Sequence, residues 1–137
     1  MSDELDLTPL ADAVERLAEG LAEYQKNTSH TLIRDGLVQR FEFTYEISHK
    51  MLKRYLALTL ASPAEFDSMP FGDLIRTGNE QGLLLGNWPN WKRYREMRSK
   101  TSHTYDEGIA LQVVAGIPDF LAEARYLLEQ LQRRSAE

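Results

Sequence analysis

Apolar residues recur three and four positions apart along most of this chain, a rhythm that confines it to helices packed on helices. Leu10, Val14, Leu17, Leu21 and Tyr24 follow it after Thr8-Pro9, a threonine cap with proline at the first helical position. Asn27-Thr28-Ser29-His30 reads as the end of this first helix and a connection. A second helix is expected from Thr31 or Asp35 to about Leu60, with Leu37, Phe41, Tyr45, Ser48, Leu52 and Tyr55 on one face. Val38, Met51 and Leu56 widen that face, and Gly36 within it costs about 1 kcal/mol relative to alanine. Glu46 and Lys50 stand at i and i+4 in the favourable acid-first order, and Phe41, Phe43 and Tyr45 read as core aromatics. Ser62-Pro63 stops the helix, and residues 61–70 form a loop.

Three further helices complete the pattern. A short one is expected from Ser68-Met69-Pro70 to Gln81, with Phe71, Leu74 and Ile75 inward and Gly82 as its C-terminal stop. Another begins at Asn87-Trp88-Pro89 and reaches about His103. The last runs from about Asp106 to Arg134 on Ile109, Val113, Ile117, Phe120, Leu121, Leu127, Leu128 and Leu131, with Gly116 and Pro118 as a source of kinking. No alternation of useful length argues for a strand. The fold expected is therefore all-α: an antiparallel up-and-down bundle of four to five helices, a single domain over residues 1–137.

Composition narrows the function classes. There is no cysteine, which removes disulfides, thiolate metal ligands and cysteine nucleophiles. No apolar run approaches the roughly 18 residues of a membrane span, and the acidic N-terminus does not read as a secretory signal, so a cytoplasmic location and no membrane partner are expected. A net charge of -5 argues against a general nucleic-acid binder, but the charge is unevenly placed. Residues 1–25 carry seven acids against Arg16 alone, whereas residues 91–103 carry Lys92, Arg93, Arg95, Arg98 and Lys100 against Glu96. That second segment is a local basic patch suited to phosphate.

The three histidines, His30, His49 and His103, have no second histidine or paired carboxylate at ligand spacing, so no metal site is expected. No glycine-rich phosphate loop occurs either, and no cofactor is implied. Glu42 and Glu46 can pair as acids, though exposed helix charges explain them more simply. The informative segment runs from Arg98 to Tyr105. Arg98 offers a permanently charged fork that matches a phosphate, and His103 exchanges protons near neutral pH. Lys100, Thr101 and Ser102 add donors, and Arg93 and Arg95 extend the positive field. Five residues of α-helix turn through about 500°, which leaves Arg98 and His103 about 140° apart. Either the helix ends near Ser102 or a second copy of the chain completes the site. On physical grounds alone, a solvated arginine and a histidine near a helix C-terminus fit better. Trp88 and Trp91 are able to stack bases but fit helix-start packing better.

The run Arg40-Phe-Glu-Phe-Thr-Tyr-Glu-Ile47, continuing through Lys50-Met-Leu-Lys-Arg-Tyr55, is followed later in the chain by Met97-Arg98-Ser-Lys-Thr-Ser-His103-Thr-Tyr105. Together they resemble the HEPN family, in the branch called nucleotidyltransferase substrate-binding protein, over about residues 5–133. The second run looks like its R-x4-H-x-Y motif. The resemblance implies a bundle that dimerises through its motif-bearing helices and a minimal nucleotidyltransferase as partner, the pair forming a toxin–antitoxin module. It implies a metal-independent ribonuclease with Arg98 and His103 as catalytic pair in a cleft between two subunits, and Tyr105 as the residue the partner adenylylates. Many members carry Asn, Asp or His after the motif arginine; this chain has Ser99, which keeps a hydrogen-bonding group there. Two other readings stay open: a non-catalytic subunit that presents substrate to a nucleotidyltransferase, and a helical dimer whose basic patch meets an acidic surface.

Overall fold

The computed structural model describes residues 5–60, 64 and 68–135, and among them only helices and their connections occur. The α-helices of the described residues, in order, are α1 (Thr8–Lys26), α2 (Thr31–Thr59), α3 (Phe71–Glu80), α4 (Trp88–Lys100) and α5 (Glu107–Ser135). A single 3-10 turn, Thr101–His103, follows α4. The expected all-α bundle is thus the observed one. Helices α1 and α2 form a hairpin, α5 packs against both, and α3 and α4 close the remaining side of α2, with α4 also on α5.

The helix ends show where local chemistry differs from the expected signals. Thr8 already lies within α1, and its N–H donates to Asp6 Oδ1 at 3.0 Å. Asp6 therefore serves the first turn, and that hydrogen bond holds its carboxyl below the ordinary value. His30 is more than a loop residue: its Nδ1 accepts the Ile33 N–H at 3.2 Å and caps α2. Helix α2 ends at Thr59 with Leu60 extended; Ser62-Pro63, the expected stop, lies outside the described residues. Gly82 ends α3 at φ +73°, a backbone conformation open to glycine and strained for other residues. Helix α5 passes through Gly116 and Pro118 as one continuous helix.

The core is what holds α4 in place. Phe41 of α2 meets Phe120 of α5 edge-on at 5.1 Å, and Tyr94 of α4 meets Phe120 at 5.2 Å. Trp91 is fully buried against Tyr94, 5.5 Å between ring centroids, so it fills the core and has no face free for a base. Burial pushes the Tyr94 and Tyr45 phenols up to about 12. At Gly116 the helices α4 and α5 come so close that a Cβ would stand 2.5 Å from Met97 Sδ, one residue before Arg98. Phe43 corrects the expectation of a core aromatic: it is 50% exposed. Phe41 and Tyr45 lie two residues to either side of it and point inward, whereas a step of two along a helix turns about 200°.

Candidate active site

Helix α4 buries Trp91, Tyr94 and Met97. Arg98 is seven residues after Trp91 and returns to within about 20° of the same direction, so its side chain leaves the helix toward α2 rather than toward water. There it meets Glu42 and Glu46, one helical turn apart on α2. Arg98 Nε donates to Glu46 Oε1 at 2.6 Å, and Nη1 lies 3.2 Å from Glu42 Oε2. Nη1 also donates to Thr101 Oγ1 at 3.2 Å. The single hydroxyl proton of Thr101 is shared between Glu42 Oε2 at 2.9 Å and the Arg98 carbonyl at 2.8 Å. Arg98, Thr101 and Glu42 thus close one ring of contacts, and Glu46 holds the guanidinium from its Nε side; the Arg98 side chain is 33% exposed. The Glu46 carboxylate goes to Arg98 and not to Lys50, the partner its spacing suggested.

After Lys100 the chain tightens into the 3-10 turn and delivers His103 and Tyr105 to the surface. His103 is exposed, and Tyr105 is 87% exposed, their rings edge-to-face at 6.1 Å. The Asp106 N–H closes on the His103 carbonyl at 3.1 Å, and Asp106 Oδ1 accepts the Ile109 N–H at 3.2 Å to start α5. Helix α4 therefore ends two residues earlier than the geometric argument needed. No hydrogen bond, ion pair or ring contact joins Arg98 to His103 among the described residues. Within one chain the two motif groups are neighbours in sequence and face different ways.

The basic residues of α4 divide between two faces. Arg93 and Lys100, seven residues apart, turn toward α5: Arg93 Nη2 pairs with Asp119 Oδ2 at 2.7 Å, and Lys100 Nζ donates to Gln112 Oε1 at 3.4 Å. They line a groove of about 260 Å³ with Glu96, Met97 and Gly116. Lys92, Arg95 and Ser99 lie on the other side, beside half-exposed Trp88, around a second groove of about 270 Å³. The Arg95 guanidinium stands 5.1 Å over the Phe71 ring. The Ser99 hydroxyl donates back to the Glu96 carbonyl at 2.8 Å, and Ser102 is exposed in the 3-10 turn.

His49 packs edge-on against Phe71 at 5.2 Å. Burial there lowers its pKa, with Lys53 adding to the same direction. No group of three or more histidine, aspartate or glutamate side chains at metal-binding spacing occurs among the described residues. No described helix is long and apolar enough to cross a membrane.

Residues 5–133 match the family model described as nucleotidyltransferase substrate binding protein like. The chain belongs to this family. Within the family, similarity extends to a Haemophilus influenzae protein named "Probable ribonuclease HepT", 36% identical over an alignment 143 positions long that covers 98% of this chain and 97% of that one. A solved Haemophilus influenzae structure, described as revealing the fold of a substrate binding domain of a nucleotidyltransferase, superimposes with a TM-score of 0.85 at 35% identity. That superposition covers 93% of this chain and 99% of the other. These likenesses support the HEPN assignment that the two sequence runs suggested.

Three members of the site escaped the sequence reading in part. Glu42 and Glu46 are like charges at i and i+4, an arrangement that destabilises a helix unless a cation lies across it. That repulsion was the available signal for a bridging arginine. Thr101 was read as a phosphate donor, whereas its hydroxyl is committed to Arg98 and Glu42.

Proposed function

We propose that this protein is a metal-independent RNA endonuclease that acts as a homodimer, with Arg98 and His103 as its catalytic pair. The observation that carries the reading is an accessible imidazole in the turn that follows the helix bearing a clamped arginine, in a chain similar throughout to a protein named a ribonuclease. In the reaction the RNA 2′-oxygen attacks the adjacent phosphorus and the bond to the 5′-oxygen breaks, leaving a cyclic phosphate and a 5′-hydroxyl. His103 moves a proton, either from the attacking hydroxyl or to the leaving oxygen. Arg98 stabilises the charge that builds on the phosphoryl oxygens. Because one chain does not bring the two groups together, the cleft needs a second copy. Exposed Phe43 and half-buried Ile47, flanking Glu46 on α2, supply an apolar surface for that copy.

In this reading Lys92 and Arg95, with Ser102, contact the RNA backbone, and Arg93 and Lys100 contribute charge from the α5 side. The regulating partner is a minimal nucleotidyltransferase, the two forming a toxin–antitoxin pair in the cytoplasm. The Tyr105 phenol attacks the α-phosphorus of ATP, pyrophosphate leaves and the phenolic proton passes to solvent. Its 87% exposure suits an acceptor. The attached nucleotide places negative charge beside the cleft and repels RNA.

The test is incubation of the purified protein with single-stranded or transfer RNA in the presence of chelator. Cleavage that Arg98→Ala and His103→Ala both abolish supports the reading; intact RNA with a verified dimer overturns it. The second reading, a subunit that presents substrate without catalysis, draws on the description of the solved relative. A stable complex with the nucleotidyltransferase and no nuclease activity would favour it.

A further inference from the structure

We infer that Glu42, Glu46 and Thr101 are positioning residues that lock the Arg98 guanidinium in one orientation and leave its Nη2 edge for the scissile phosphate. This deepens the ribonuclease reading and rests on it for its catalytic consequence, though not for the clamp itself.

An arginine offers five N–H donors in a rigid plane. Here the Nε edge is taken by Glu46 at 2.6 Å, and Nη1 is taken by Thr101 at 3.2 Å with Glu42 Oε2 also 3.2 Å away. Nη2 makes no hydrogen bond among the described residues. The acceptors come from two elements: Glu42 and Glu46 from α2, and Thr101 from the turn that leads to His103. The ring therefore fixes the guanidinium plane relative to both the helix and the histidine-bearing turn.

Two of the acceptors, Glu42 and Thr101, are also constrained in turn. Glu42 receives the Thr101 hydroxyl at 2.9 Å as well as facing Arg98, so the carboxylate cannot swing away without breaking both contacts. The α2 backbone under the carboxylates is fixed by buried Phe41, Thr44 and Tyr45. A free arginine on a helix samples many rotamers, and ordering it at the moment of reaction opposes the rate. Ordering it beforehand with hydrogen bonds confers the orientation that phosphoryl chemistry requires.

The same two carboxylates have an alternative role, as resident anions that compete with phosphate for Arg98. The geometry favours positioning, because the carboxylates occupy the Nε and Nη1 sides and not Nη2. The two roles move kinetic constants in opposite ways, which makes the choice measurable.

The experiment compares Glu46→Ala, Glu46→Gln, Glu42→Ala, Thr101→Val and Thr101→Ser with wild type in steady-state RNA cleavage. Glu42 and Glu46 side chains are 36% and 53% exposed, so their variants should fold. Positioning predicts that Glu46→Ala, Glu42→Ala and Thr101→Val each lower kcat about 10-fold or more with KM nearly unchanged. Glu46→Gln and Thr101→Ser keep an acceptor and should recover most of the rate. A fall in KM with unchanged or raised kcat would overturn the inference in favour of competing anions. Unchanged kcat with only a lower Tm would reduce the cluster to a stabilising contact and overturn it as well. In parallel, the Arg98 Nε–H is followed by nitrogen-15 NMR hydrogen exchange in the RNA-free protein. It should be protected in wild type and Glu46→Gln and exchange rapidly in Glu46→Ala. Should the wild type cut no RNA, the ribonuclease reading falls, and the clamp is judged by this signal: fast exchange in wild type, or no response to Glu46→Ala, sinks it.

Discussion

Glu123 is a carboxylate only 1% exposed, and its replacement gives the sharpest structural prediction. It lies on α5 and accepts the Leu85 N–H at 2.8 Å and the Gly86 N–H at 2.7 Å, fastening the connection that leads into α4. Burial raises its pKa above the ordinary carboxylate value, while the two N–H groups act in the opposite direction. Glu123→Ala leaves both amides without this acceptor, at about 1–3 kcal/mol each. The exposed Leu85 recovers part of its share from water, so the loss should be about 3 kcal/mol, or roughly 10 °C in Tm for a chain of this size. Glu123→Gln keeps the volume and one acceptor but turns an amide N–H₂ toward the second donor. Removing the buried charge returns some stability, so its loss should be about 1–2 kcal/mol. Urea and thermal unfolding followed by circular dichroism near neutral pH should rank wild type above Gln and Gln above Ala. An alanine variant within about 0.5 kcal/mol of wild type, or a glutamine variant more stable than wild type, would refute the reasoning.

Three further outcomes are expected. The folded-state pKa of His49 is depressed from 6.5 by burial, so its contribution to stability is present above that value and is lost as pH falls through the depressed one. Unfolding measured across that window should show a steeper decline for wild type than for His49→Gln; identical slopes would exclude His49 as the source. Phe43→Lys removes an exposed ring without opening the core, so monomer stability should change by less than about 0.5 kcal/mol while dimerisation weakens. Sedimentation of an unchanged dimer would remove Phe43 from the interface. Lys92→Ala and Arg95→Ala should each weaken RNA binding across sequences and lower the salt slope by about 1, read by fluorescence anisotropy at several salt concentrations.

The helices were legible because a 3.6-residue period shows in the order of apolar residues, and each expected helix lies within a few residues of an observed one. The least accurate boundary was the end of α4, which the pattern carried to His103. The chain tightens after Lys100 because the Thr101 hydroxyl is held by Arg98 and Glu42, a tertiary contact that periodicity cannot report. Phe43 was misassigned for a related reason: hydrophobicity marks a residue as seeking cover and does not say whether its own core or a second molecule provides it. The motif residues were visible as chemistry, whereas the counter-ions of Arg98, 52 positions away at Glu46 and 56 away at Glu42, were not. Arg93 and Lys100 were grouped with Arg95 by sequence proximity, yet seven-residue spacing places the first two together and turns Arg95 away.

The central claim, that an arginine of one copy works with a histidine of another, is tested most directly by mixing. Arg98→Ala and His103→Ala proteins, each inactive alone, are co-refolded or co-expressed and assayed on RNA in chelator. Random pairing makes half of the dimers mixed, each with one of two composite sites intact, so roughly a quarter of wild-type activity should return. A mixture as inactive as either variant alone, with mixed dimers demonstrated, would contradict the account.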